Sequence, residues 1–171
     1  MSRGSFSSRQ ARSIGTHPNT PAGGPASGRN SLRAPVVFVA VKALIVDDEE
    51  EYRAALLEIL LDVGECDIAE NGKEAVNAFH RAWSEGDPYD LVCLDIQMPV
   101  LGGFETLKIL REIKTAMNVT HSEQCRVFMV TSNTGFAGKD LARSLGCDAY
   151  FLKPLKRVLF LNRLQTFGLI T

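Results

Sequence analysis

Short apolar runs alternate with longer amphipathic segments from Val36 to the end of the chain, and this alternation limits the possible folds more than any other feature. Near-continuous apolar runs of about four to eight residues are typical of strands that are buried on both faces of a sheet. We predict strands at 43–46, 66–69, 91–94, 126–130 and 149–152. Because a segment with helical periodicity follows each run, the sequence predicts an α/β fold, a doubly wound (βα)5 parallel sheet between two layers of helices.

The helices are predicted at 50–63, 72–83, 104–117, 135–145 and 155–167. The first of them carries apolar residues at helical spacing along one face. Gly64 follows directly, and glycine is the residue that most readily adopts the left-handed conformation at a helix end. We therefore expect Gly64 to close this helix.

Charge and composition divide the chain of 171 residues into two parts. Residues 1–34 are rich in Ser, Gly and Pro and carry five arginines with no acidic residue, so we expect a disordered tail. This tail is a passive leader, the product of a start codon assigned too early, or a segment that contacts an anionic partner. The remainder, 36–171, is expected to be one domain; it holds 14 basic and 20 acidic residues, a net charge of −6, which argues against nucleic-acid binding.

The four cysteines show neither a CxxC pair nor histidines at metal-ligand spacing. We expect them to be structural thiols in a reducing compartment. No apolar run approaches the roughly 18 residues that cross a bilayer, and no secretory signal is evident. The sequence therefore predicts a cytoplasmic protein without membrane insertion.

Polar residues follow the predicted strands at the points where they end. Asp47 and Asp48 follow the first strand, Asp95 the third, Thr131 the fourth and Lys153 the fifth. The carboxyl ends of parallel strands share one edge, which is where such sheets bind ligands. Clustered carboxylates persist only beside a compensating cation, and hard oxygen donors favour Mg²⁺. The alternative is that the aspartates cap the next helices and that Lys153 pairs with one of them.

Four segments look like the response-regulator receiver family: LIVDDEE (44–50), LVCLDIQMPVLGG (91–103), MVTS (129–132) and YFLKP (150–154). The resemblance covers roughly 42–167. It implies a flavodoxin-like fold with strand order 2-1-3-4-5. It also implies two-component signalling, in which the chain takes a phosphoryl group from a sensor histidine kinase or a histidine phosphotransfer protein.

By this resemblance Asp95 is the phosphoacceptor. Asp48 and Asp95 would ligate Mg²⁺, with Mn²⁺ as a possible substitute; Asp47 would orient a metal-bound water, and the Gln97 backbone carbonyl would be a further ligand. Gln97 and Asn133 occupy positions that tune hydrolysis of the aspartyl phosphate. The family is not one of enzymes, although we expect Mg²⁺-dependent autophosphorylation from small donors and slow autodephosphorylation.

The resemblance also assigns the residues that respond to phosphorylation. Lys153 would pair with the phosphoryl oxygens, and the Lys153–Pro154 bond would be cis. Thr131 would hydrogen-bond the phosphoryl group and act as a switch together with Tyr150. A tyrosine at a strand edge is otherwise explained by simple packing.

The last predicted helix is unusually apolar, since residues 158–161 place four apolar side chains around more than one turn. One buried stripe does not hold them all, so we predict a protein-contact surface there, for a partner or for a homodimer. The alternative is packing of the chain end back onto the sheet.

The interval from Asp95 to Thr131 is long for the family, with 116–124 as the insertion. Because no output domain follows 171, we expect a stand-alone receiver that signals to a downstream protein through the face of 131–167.

Two other functions are compatible with parts of the pattern. A haloacid-dehalogenase-type phosphatase also uses a strand-end aspartate with Mg²⁺, but it needs a second aspartate two residues later, where Gln97 stands. A receiver-like interaction module that is independent of phosphate is the second alternative. The complete set of strand-end residues argues against it.

Overall fold

The alternating segments form five strands and five helices in a computed structural model of the protein. The structure describes residues 40–117, 125–132 and 135–171. The predicted tail at 1–34, residues 118–124 of the predicted insertion and Asn133 lie outside the described residues. The expectations for these parts stay predictions.

The five strands form one parallel sheet in the order β2-β1-β3-β4-β5, which confirms the predicted topology. They are β1 (Val41–Val46), β2 (Gly64–Ala69), β3 (Leu91–Leu94), β4 (Arg126–Thr131) and β5 (Ala149–Leu152). Burial on both faces holds for β1, β3 and β4. The expectation of burial on both faces was wrong for β2 and β5, because they form the sheet edges and most of their residues are partly or fully exposed.

The helices begin and end within a few residues of their predicted limits. They are α1 (Glu50–Leu60), α2 (Gly72–Ser84), α3 (Gly103–Ala116), α4 (Phe136–Ser144) and α5 (Arg157–Thr166). Asn71 caps α2, since its side chain accepts a hydrogen bond from the Glu74 backbone N–H at 3.0 Å.

Hydrophobic side chains on both faces of the sheet give the protein its three layers. Leu44 and Val46 of β1 pack in one cluster with buried side chains of α2, α3 and α4, whereas Ala43 and Ile45 pack in a second cluster with those of α1 and α5. Successive side chains of a strand point to opposite faces. The helices therefore cover both faces of the sheet, as the apolar runs indicated.

Gly64 does not close α1, and this prediction was wrong. The helix ends at Leu60, and Gly64 is the first residue of β2. A Cβ atom on Gly64 would lie 1.8 Å from the Val41 carbonyl oxygen. The glycine is thus explained by the close approach of β2 to β1, and not by a left-handed turn.

The apolar residues of the last helix are divided between the core and the surface. Phe160 and Leu164 are fully buried, while Val158 and Leu159 are 68% and 56% exposed. The residues that follow the helix pack against the cluster beneath α1 and α5. The packing alternative is therefore confirmed for the end of the chain, and the protein-contact surface stays a prediction. Among the described residues, no helix is long and apolar enough to cross a membrane.

Candidate functional site

The carboxyl edge of the sheet brings together the polar residues that follow or end four of its strands. Asp47 follows β1, Asp95 follows β3, Thr131 ends β4 and Lys153 follows β5. All four are buried: Asp47 is 1% exposed, Asp95 4% and Thr131 0%, and the Lys153 side chain is 2% exposed. Ionisable side chains are seldom so deeply buried unless they are paired or functional.

The Lys153 ammonium group lies among three carboxylates. Its Nζ is 2.8 Å from Asp47 Oδ2, 3.6 Å from Asp95 Oδ1 and 3.7 Å from Glu49 Oε1. These contacts are ion pairs by distance, yet Nζ and the two aspartate oxygens have no partner in hydrogen-bond geometry within the described chain. Buried polar atoms of this kind are costly. A pocket with unpartnered carboxylate oxygens and an ammonium group is suited to a cation and an anionic group together.

The surroundings of Asp95 act on its pKa in both directions. Burial raises the pKa of this carboxyl group above its usual value, and the neighbouring Asp47 charge raises it further. The Lys153 charge lowers it, as do hydrogen bonds from the Ile96 backbone N–H and the Thr131 hydroxyl. The net direction is upward, so the pocket leaves the negative charge of Asp95 incompletely compensated.

An acidic cluster opens from this pocket toward solvent. Carboxylate oxygens of Asp47, Asp48 and Glu49 lie within 4.8 Å of one another, with Asp47 buried and the other two residues exposed. The second Asp47 oxygen, Oδ1, accepts a hydrogen bond from the Glu49 backbone N–H at 3.0 Å. A small cluster of carboxylate oxygens fits Mg²⁺, a hard cation that binds one or two carboxylates and keeps several waters. Glu49 was not among the predicted metal-binding residues.

The loop between β3 and α3 carries the predicted Gly-Gly pair. A Cβ atom on Gly103 would lie 2.0 Å from the Asp95 carbonyl oxygen, so only glycine allows α3 to start beside the site. Gln97 is exposed in this loop. Val100 adopts a positive φ of 69° and is 78% exposed. The carbonyl of the next residue, Leu101, accepts a hydrogen bond from the N–H of Gly72 at 3.2 Å.

Two residues in the first turn of α1 contact the site, and neither was predicted from the sequence. The Tyr52 ring lies under the Lys153 ammonium group, with Nζ 3.9 Å from the ring centroid. Arg53 donates hydrogen bonds to the carbonyl oxygens of Asp47 and Asp48 at 2.9 and 3.0 Å. The only signal in the sequence was their position directly after the acidic residues, at the helix end that faces the sheet edge.

The two predicted switch residues lie on adjacent strands. Thr131 is the last residue of β4, and its carbonyl accepts a hydrogen bond from the Lys153 N–H at 2.9 Å. Tyr150 is half-buried in β5 and packs against the cluster on the α3 and α4 side. Burial raises the pKa of Tyr150, and the Asp95 charge contributes to this shift. The Lys153–Pro154 peptide bond is cis.

Fold and site together define a doubly wound α/β protein with an acidic pocket at the carboxyl edge of its sheet. The chain belongs to the response-regulator receiver family, since the family model described as "Response regulator receiver domain" matches residues 43–165. Receivers are phosphoacceptors of two-component signalling, and they bind Mg²⁺ in an acidic pocket and interact with histidine kinases and downstream targets.

Solved structures of chemotaxis proteins are similar to the chain. A complex from Borrelia burgdorferi, described as CheX-CheY-BeF3-Mg²⁺, includes a chain that is 25% identical, with a TM-score of 0.65 over 75% of this chain and 89% of that one. CheY4 of Vibrio cholerae is 26% identical, with a TM-score of 0.63 over 74% of this chain and 98% of that one. These likenesses agree with the strand order and the helical layers described above.

Curated relatives contain the matching region within longer chains. The transcriptional regulatory protein CusR of Escherichia coli is 31% identical over 127 residues, which is 74% of this chain and 50% of CusR. Hybrid signal transduction histidine kinase B of Dictyostelium discoideum is 30% identical over 122 residues, or 67% of this chain and 6% of the kinase. The chain thus spans half or less of the length of these relatives.

Proposed function

We propose that this receiver accepts a phosphoryl group on Asp95 from a sensor histidine kinase or a histidine phosphotransfer protein in an Mg²⁺-dependent reaction. The observation that carries the proposal is the buried Lys153 ammonium group between Asp47 and Asp95 at the carboxyl edge of the sheet. A protein that only needed a stable core would not require a buried ammonium group and two buried carboxylate oxygens that are ion-paired but lack hydrogen-bond geometry there.

In the proposed transfer, an Asp95 carboxylate oxygen forms a bond to phosphorus while the bond from phosphorus to the donor imidazole nitrogen breaks. The electron pair of that bond stays on the imidazole. Lys153 is close enough to neutralise charge on the phosphoryl oxygens, and Thr131, which now donates a hydrogen bond to Asp95, would donate to a phosphoryl oxygen. A carboxylate needs no separate base, because it carries no proton to remove.

For the metal, we propose that Asp48, Asp95 and the Gln97 carbonyl bind Mg²⁺, with Asp47 orienting a metal-bound water and Mn²⁺ able to substitute. When bound, Mg²⁺ neutralises negative charge on the phosphoryl oxygens. The unpartnered Asp95 Oδ1 and the acidic cluster of Asp47 and Asp48 support this assignment. Glu49 adds a carboxylate at the same opening. We further propose that Gln97 and Asn133 tune hydrolysis of the aspartyl phosphate, which is slow without a partner.

The response is proposed to pass through Thr131 and Tyr150 to a downstream protein on the face formed by 131–167. This face carries a cavity of about 200 Å³ that Tyr150 lines together with three basic side chains, Lys139, Arg143 and Arg163. The exposed Val158 and Leu159 supply apolar surface on the last helix. Such surface suits a protein target or a second copy of the chain.

The remaining expectations from the sequence are proposals of the same kind. We propose a folded receiver at 36–171, a tail at 1–34 and a cytoplasmic location, where kinases of this signalling class act. Neither nucleic acid nor membrane is proposed as a partner. The stand-alone state stays a prediction, because the curated relatives carry the receiver within longer chains.

The test is intact-mass measurement of wild type and Asp95→Asn after incubation with Mg²⁺ and acetyl phosphate. We expect only wild type to gain one phosphoryl group and to show no gain when EDTA is present from the start. If wild type gains no mass from acetyl phosphate or from phosphorylated histidine phosphotransfer proteins, the phosphate-independent interaction module replaces this proposal. A gain on both proteins would place the phosphoryl group on another residue.

A further inference from the structure

The Lys153 ammonium group contacts both carboxylates and an aromatic ring. Carboxylate oxygens of Asp47, Asp95 and Glu49 lie on the pocket side, between 2.8 and 3.7 Å from Nζ. The face of the half-buried Tyr52 ring is also in contact, with its centroid 3.9 Å from Nζ. With the Lys153 side chain 2% exposed, little room remains for water around the ammonium group.

An aromatic face attracts a cation through its quadrupole, and the attraction is stronger where water is excluded. It requires the cation to lie over the ring face, but unlike a hydrogen bond it does not require one N–H bond to point at one acceptor atom. Lys153 Nζ is nearer to Asp47 than to Asp95, by 2.8 against 3.6 Å. Negative charge on a phosphoryl group at Asp95 would attract the ammonium group away from Asp47, and the Tyr52 ring is able to retain the ammonium group during such a shift.

We propose that Tyr52 is a positioning residue for phosphoryl acceptance: its ring holds the Lys153 ammonium group over Asp95 by a cation–π contact. This inference rests on the proposed function of Asp95. It assigns to the first turn of α1 a role beyond packing. A lysine side chain has four rotatable bonds and loses considerable conformational entropy when it is fixed in one position. A group that already restrains it therefore lowers the entropy that must be lost to reach the transition state.

Hydrogen bonds of a neighbouring residue fix the position of the Tyr52 ring beside Lys153. The adjacent Arg53 donates to the carbonyl oxygens of Asp47 and Asp48 and to the Glu70 carboxylate, which ties the first turn of α1 to the ends of β1 and β2. The ring is thus presented to Lys153 by a helix turn that is itself anchored. Simple packing would explain burial of the ring. It would give no reason for an ammonium group at 3.9 Å from its centre.

The experiment replaces Tyr52 with phenylalanine and then with phenylalanines that carry an increasing number of ring fluorines. Fluorine withdraws charge from the ring face while the shape changes little, so cation–π attraction falls and packing is kept. The rate of phosphorylation is measured at saturating Mg²⁺ and a range of acetyl phosphate concentrations. In this reaction Asp95 forms a bond to phosphorus as acetate leaves with the electron pair of the broken P–O bond.

We expect Tyr52→Phe to stay within about twofold of wild type and the maximum rate to fall stepwise with each fluorine, by about fivefold over the series. Tyr52→Leu should match the most fluorinated variant. The matched control is the same fluorinated series at Tyr89, whose ring lies 5.2 Å from Lys42 Nζ far from the site. That series should leave the rate unchanged.

A rate that is independent of fluorine number, in variants whose urea midpoints equal that of Tyr52→Phe, would overturn the inference. The fluorinated variants keep the ring, so they test it even if Tyr52→Leu does not fold. Failure of the proposed function is distinguishable, because wild type itself would then take no phosphoryl group. A rate that falls only through weaker apparent binding of acetyl phosphate, with the maximum unchanged, would also refute a positioning role.

Discussion

Asp148 joins three elements at the end of the sheet opposite the acidic pocket, and its removal should be strongly destabilising. Its carboxylate accepts hydrogen bonds from Arg111 Nη2 at 2.7 Å, from Arg126 Nη1 at 3.0 Å and from the Val127 backbone N–H at 2.8 Å. The side chain is only 15% exposed. One carboxylate therefore links α3, the start of β4 and the start of β5.

The cost of Asp148→Ala follows from the partners that it leaves. Val127 is 1% exposed, and leaving its N–H unpaired costs about 1–3 kcal/mol. The two arginine side chains are 22% and 28% exposed, so each loses about 0.5–1 kcal/mol of screened attraction. Arg111 keeps its hydrogen bonds to the Gly146 carbonyl. We therefore expect the free energy of unfolding to fall by about 2–5 kcal/mol.

Urea unfolding, followed by Trp83 fluorescence and by circular dichroism, measures this loss. With an m-value of about 2 kcal/mol/M, the midpoint should fall by about 1–2.5 M. The matched control is Asp62→Ala, whose carboxylate pairs with Arg157 while the two side chains are 64% and 43% exposed; it should change stability by less than about 0.5 kcal/mol. A loss below about 1 kcal/mol for Asp148→Ala, or equal losses for both, would refute the reasoning from burial.

Four further predictions concern the backbone, the thiols and the metal. Gly64→Ala should cost at least about 2 kcal/mol in urea unfolding, because its Cβ would lie 1.8 Å from the Val41 carbonyl oxygen; an unchanged midpoint would contradict the close strand approach. Val100→Asn should raise stability by about 0.5–1 kcal/mol, since asparagine tolerates the φ of 69° better than a β-branched residue, and a lower midpoint would argue against strain there. Burial raises the pKa of the Cys66 thiol from 9.0 to about 11, so its alkylation by iodoacetamide at pH 8 should be about 100-fold slower than in the urea-unfolded chain; equal rates would contradict this. Mg²⁺ at ten times its dissociation constant should stabilise wild type by about 1.4 kcal/mol, and Asp48→Asn should lose most of this gain in a thermal-shift titration; equal gains would exclude Asp48 as a ligand.

The central strands and the polar edge were predictable from the sequence for a simple reason. A strand buried on both faces must be apolar throughout, so β1, β3 and β4 stand out as runs. In a parallel sheet the residues after such runs lie on one edge, which places Asp47, Asp95, Thr131 and Lys153 together. The strand order came from the resemblance, because the apolar pattern alone does not say which strands are neighbours.

The edge strands and Gly64 were less predictable. An edge strand covers only part of its surface, so the exposure of β2 and β5 depends on their place in the sheet and not on their own apolar content. Gly64 follows a helical pattern, which suggests a helix end. The actual constraint is a carbonyl of β1 that is 23 residues earlier in the chain.

What the sequence by itself determined is therefore the strands of the sheet interior and the chemistry of its carboxyl edge. Only the tertiary structure decided which side chains meet there: Tyr52 beneath Lys153, Arg53 on the carbonyls of Asp47 and Asp48, and Glu49 within reach of the same ammonium group. Periodicity fixes the face of a helix, whereas these contacts depend on how α1 is oriented on the sheet and on the rotamer of each side chain. The contacts of Tyr52 and Glu49 with Lys153 join segments about 100 residues apart in the chain, which no local pattern records, whereas the Arg53 contacts are local and depend on its rotamer.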